Sequence, residues 1–182
     1  MKNNEDYKID DLLPDELKGD IVPDINPEKL FDENEYSTII IGSEGMTKKD
    51  TDNADAVTVL VSSKSSREEK DEALKYLKSN NAQAFMINAI SKTKNSEQKA
   101  QIIASCWETG LNFSNDFPFF ISLVCDKDFH VSFEAFTVIQ EMEAEIDEAT
   151  LKQSLNTLKK VKEPSVSVSD AIQLIEQKLN AN

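Results

Sequence analysis

The chain has 182 residues, 39% hydrophobic and 30% charged, with a formal net charge of −14 and two cysteines, which suits one folded domain with an appendage. So acidic a balance excludes a protein that tracks nucleic-acid phosphates or an anionic membrane, because both demand basic side chains, and two cysteines make no disulfide framework. No stretch approaches the roughly 20 apolar residues that span a bilayer, and MKNNEDYKIDDLL has neither a positive nor an apolar leader region, so a cytoplasmic protein with reduced thiols is expected.

The acid is concentrated at the N-terminus. Residues 1–36 hold twelve acids against four lysines, net −8, and three prolines interrupt any regular element there. Spaced apolar residues, among them Leu12, Leu17, Ile21 and Leu30, give this segment the means to dock on a groove and modulate it. EYSTIIIGSEG reads as a short strand over Thr38–Gly42, since β-branched residues favour the extended state and glycine stops it. AVTVLVSS at 56–63 reads as a first helix capped by Asp52 or Asn53, with a strand paired across 43–55 as the alternative. Residues 1–53 are thus assigned to an acidic, proline-containing segment and 54–182 to a helical domain.

From residue 65 the pattern is helical almost without interruption. SSREEKDEALKYLKS has a serine start followed by glutamates, then Ala73, Leu74 and Leu77 on one face. NNAQAFMINAISKT places Ala82, Phe85, Met86, Ala89 and Ile90 at helical spacing, with Asn80 or Asn81 as its cap. KNSEQKAQIIASCWETG and SNDFPFFISLVC follow, the second apolar nearly all round and with Pro118 in its first turn. DKDFHVSFEAFTVIQEM carries one stripe of Phe129, Phe133 and Phe136 and another of Val131, Ala135, Val138 and Met142. Leu151, Leu155, Leu158 and Val161 then mark a helix that Pro164 ends, and Ile172, Ile175 and Leu179 mark a last one.

Ala73, Ala104 and Ala135 recur at a spacing of 31, each expected in the first helix of a pair, where a small side chain permits close approach. With DKDFHVSFEAFTVI supplying an acidic turn, a valine, an alanine four residues on and an aliphatic pair, residues 65–161 resemble HEAT-type repeats. Ser132 stands where that family usually has arginine and Glu69 where it has valine, so HEAT, armadillo and other α-solenoids remain alternatives. The resemblance implies an all-α, right-handed superhelix of about three helix pairs plus a closing helix, preceded by the acidic irregular segment. It also implies a non-enzymatic scaffold that binds a protein or peptide on a concave face, without cofactor, metal, nucleic acid or membrane. Gln83, Asn88, Trp107, Phe117, Lys152, Asn156 and Lys159 are the candidate contact residues.

CWETGLNFSNDFPFFISLVCDKDFH holds both cysteines, the only tryptophan and the only histidine. Cys106, Cys125 and His130 lack the close ligand pairs of a zinc site, and EMEAEIDEA lacks the spacing and glycine of a calcium loop. GSEGMTKKD is no phosphate-cradling loop. The rival reading is a helical-repeat enzyme, or a cofactor-attaching lyase, that uses Cys106 and His130; their exposure together in a groove would favour it.

Overall fold

The structure, a computed structural model, describes residues 47–181, all within one unit of the chain, Ile39–Asn182. The strand expected over Thr38–Gly42 and the acidic segment 1–36 lie outside the described residues. Among those described there are eight α-helices, one 3₁₀ turn and no strand, so this region is all-α.

Helix α1, Lys48–Val61, settles AVTVLVSS as helix and runs across the boundary expected between 53 and 54. Its cap is neither Asp52 nor Asn53 but Thr47: the Asp50 amide donates to Thr47 Oγ1 at 3.2 Å, and the Thr47 amide donates to the Asp50 carboxylate at 3.0 Å. These bonds hold the Asp50 carboxyl below its ordinary pKa. The cap lies upstream of both expected residues. Asn53 is left inside the helix, buried, with its Oδ1 lacking a partner.

Helix α2, Arg67–Ser79, begins on the expected serine, with a reciprocal pair in which the Ser66 amide donates to Glu69 at 2.7 Å and the Glu69 amide donates to Ser66 Oγ at 3.2 Å. Helix α3, Gln83–Lys92, has no side-chain cap at all. The asparagines expected to cap it instead finish α2: Asn80 Nδ2 donates to the Tyr76 carbonyl at 3.2 Å, and Asn81 takes φ 48°, a left-handed turn that asparagine tolerates. Asn95 caps α4, Ser96–Thr109, and Gly110 at φ 62° ends it. A 3₁₀ turn, Ser114–Asp116, leads into α5, Phe117–Val124, with Pro118 in the first turn. Asp128 caps α6, Phe129–Gln140, and Asp147 caps α7, Glu148–Leu158; α8 spans Val166–Ala181.

The helices pair as α1 with α2, α3 with α4, α5 with α6 and α7 with α8, each joined by a short connection. By contrast, α2 and α3, α4 and α5, and α6 and α7 do not bring their backbones within 8 Å of each other. Ala73, Ala104 and Ala135, spaced by 31 residues, lie on α2, α4 and α6. The even-numbered helices form an unbroken row, α2 on α4, α4 on α6 and α6 on α8. Ala73 and Ala135 are buried in this row and Ala104 is half-buried, as close approach requires.

One core runs through all the described helices. Leu77, Met86, Ile102, Ile103, Phe117, Phe120, Ile139 and Ile175 have no exposed surface, and each such side chain contributes roughly 1.5–3 kcal/mol on leaving water. Ser132, at the position where the HEAT pattern has arginine, donates its hydroxyl to the Val124 carbonyl at 2.7 Å. That buried bond ties α6 to the last residue of α5 and satisfies a carbonyl that the helix itself leaves open.

Candidate functional site

The expected contact residues do not gather. Gln83 and Asn88 lie on α3, half-buried and exposed respectively, while Lys152 and Asn156 are exposed on α7, a helix that does not pack on α3. Lys152 pairs with Glu148 one turn back at 2.5 Å, and Lys159 reaches Glu176 of α8 at 2.7 Å. Both pairs are solvent-exposed, a setting in which ion pairs add little. Phe117 has no exposed surface and is a core side chain, so it offers nothing to a partner. Of the seven, Trp107 is the large apolar side chain at the surface, 41% exposed on α4.

The cysteine and the histidine also part company. Cys106 is fully buried, its thiol donating to the Ile102 carbonyl, and burial pushes its pKa far above the ordinary thiol value, with the Asp116 carboxylate adding to the shift. A thiol held so firmly protonated is a poor nucleophile. His130 sits exposed at the start of α6, its ring edge-on to Phe129. Among the described residues no group of three or more His, Cys, Asp or Glu is arranged to hold a metal ion, and no helix is long and apolar enough to cross a membrane.

The structure leaves large rings exposed on both α4 and α6. Phe129 and Phe133 stack with ring centres 5.8 Å apart and are 64% and 46% exposed. Next to Phe133 in the chain, Glu134 receives a long 3.5 Å hydrogen bond from the Trp107 indole across the α4–α6 junction. Glu134 and Asp71 also stand near enough to Glu108 to raise its carboxyl pKa, after partial burial, which is the larger cause; Lys70 acts in the opposite direction. Trp107 further borders a cleft of ≈ 540 Å³, enclosed by Phe113, Val138 and Met142 and rimmed by Glu141 and Glu143.

Phe129 and Phe133 fall on one of two apolar stripes along α6. At about 100° per residue the phenylalanine stripe lies roughly 160° from Val131 and Ala135, on the opposite side of the helix. The second stripe was the signal: a helix covered on one side buries Val131, Ala135 and Val138 and leaves Phe129 and Phe133 in water.

Comparison with protein-family models, with curated proteins and with solved structures finds no match.

Proposed function

We propose that this chain is a non-enzymatic module that binds a protein or peptide, built as a HEAT-like α-solenoid of four helix pairs. In this reading the even-numbered helices are the second helices of their pairs and line the concave face, where stacked repeats expose an extended binding surface. The observation that carries it is the exposure of large rings along that row: Trp107 on α4 and the stacked Phe129 and Phe133 on α6 stay partly in water, while the aromatic side chains on α5 and its approach are wholly or largely buried. Large exposed rings on a folded surface mark an interaction site more often than they mark nothing, because each leaves apolar area unburied that a partner would cover. The buried, protonated Cys106 and the exposed His130 give the enzyme reading no support.

Capture from cell extract by the immobilised full chain tests the proposal. A reproducible partner that is lost on Trp107→Ala and on Phe133→Ala, with circular dichroism unchanged, is the expected result. A partner set indifferent to both substitutions, with no other protein retained specifically, sinks it. Lys152→Ala and Asn156→Ala on α7 serve as the contrast, since they lie off the aromatic row.

A further inference from the structure

We propose that the face of α4 and α6 takes a cationic segment of a partner protein, with an arginine or lysine side chain lodged in the cleft beside Trp107. The inference rests on the binding-module reading and names that module's surface and the chemistry of its partner.

The cleft has the size and the walls for it. At ≈ 540 Å³ it lies within the range of pockets that enclose a side chain or small ligand, and no lysine or arginine lines it. Trp107 lines it, and indole is the aromatic group that attracts a cation most strongly, while Glu141 and Glu143 line it as charge partners. Phe113, Val138 and Met142 cover the aliphatic stem that precedes an ammonium or guanidinium group.

Trp107 also connects the cleft to a second set of carboxylates. Its indole nitrogen donates to Glu134, and Glu134 and Asp71 each act on Glu108, raising its carboxyl pKa after partial burial, with Lys70 the opposing charge. Lys78 is the cation beside the cleft: its Nζ stands next to Gly110, over the C-terminal end of α4, where a positive charge meets the negative end of the helix dipole. An excess of carboxylates around exposed rings is complementary to a basic segment and repels an acidic one. The chain's own residues 1–36, at net −8, and a second copy of the chain, at −14, both bring the wrong sign.

The probe is a blocked arginine–glycine peptide, with a glutamate–glycine peptide as its counterpart, titrated into the full chain by calorimetry. Trp107 is the only tryptophan, so its fluorescence reports occupancy of this cleft alone. Saturable binding of the arginine peptide with a change in that fluorescence, and no binding of the glutamate peptide, is expected. Glu141→Gln with Glu143→Gln should weaken it roughly tenfold, whereas Glu163→Gln with Asp170→Asn, the same change in net charge elsewhere, should leave it within about twofold.

Equal weakening by the two pairs would mean attraction to overall charge and overturn the proposal, as would the absence of saturable binding. If the arginine peptide fails while a captured partner is still lost with Trp107→Ala, the cationic partner is wrong and the binding module stands. If Phe133→Ala instead changes the sedimentation of the chain alone, the occupant is a second copy and the proposal is overturned.

Discussion

Helix α5 and the first two turns of α6 are neighbours in sequence and almost equally rich in phenylalanine, yet they use it in opposite ways. Phe117 and Phe120 have no exposed surface, while Phe129 and Phe133 are 64% and 46% exposed. The difference lies in how the neighbours are arranged around each helix. Helix α5 meets α6, α7, α8 and the 3₁₀ turn before it, so nearly every side of a short helix is covered. Helix α6 is covered by α4, α5 and α8 on the side of Val131 and Ala135, and the phenylalanine stripe faces away from them. Composition alone does not tell a core ring from a contact ring; the count of packed sides does.

The largest expected effect follows from the covered side. Phe120 makes edge-to-face contacts with Phe113 at 5.7 Å and Phe119 at 5.5 Å, and Phe120→Ala should cost about 3–5 kcal/mol, measured by denaturant unfolding. A loss under about 1 kcal/mol would mean that α5 is not the packed centre described here.

Much of this was legible beforehand. Apolar spacing pointed to a segment within each of the eight helices, α1 with a strand as the alternative, and the serine start before Glu69 begins α2 as expected; the caps Asn95, Asp128 and Asp147 emerge only in the structure. The errors cluster where several residues compete for one role. Thr47, Asp52 and Asn53 are all competent caps, and the helix takes the earliest because that adds a turn of hydrogen bonds. Asn80 and Asn81 are equally good at ending a helix as at starting one, and they end α2. Which neighbour each helix meets was illegible for a different reason, since apolar spacing along one helix carries no information about its partner. The site was half legible: Trp107 was named, but Glu108 and Glu134 had no signal until α2, α4 and α6 were brought side by side.

A middling effect tests the seam between the two regions. Ser132 joins α6 to α5 through its 2.7 Å bond to the Val124 carbonyl, and both residues are buried. Ser132→Ala leaves that carbonyl one bond short and should cost about 1–3 kcal/mol in urea unfolding. Ser132→Thr keeps the hydroxyl and should recover part of the loss; equal losses from both variants would show that packing, not the bond, holds the seam.

A smaller effect, of opposite sign, belongs to the acidic side of the α4–α6 face. Glu108 has its carboxyl pKa raised by partial burial first and by Glu134 and Asp71 next, against Lys70. The folded chain therefore binds this proton more tightly than the unfolded chain does. Its contribution to stability is fully present below the unfolded pKa and is lost as pH rises through the folded one. Glu108→Gln should thus be slightly more stable than the wild type at neutral pH, by no more than about 0.5 kcal/mol given its solvent exposure. The advantage should close as pH falls through the raised carboxyl range. An advantage that persists at acid pH would place its origin in packing instead of charge.

The smallest expected effect is the one that most directly sharpens the contrast between α5 and α6. Phe129 and Phe133 contact each other but lie outside the buried core, so Phe133→Ala should change unfolding free energy by no more than about 0.5 kcal/mol. Set against Phe120→Ala, the same chemical change would then differ several-fold within a span of fourteen positions, Phe120 to Phe133. A residue that adds almost nothing to folding and yet carries a large exposed ring is one whose use must be sought in binding. If Phe133→Ala instead destabilised the chain by as much as Phe120→Ala, the ring would be covered in solution, and the face of α6 would belong to the core and not to a partner.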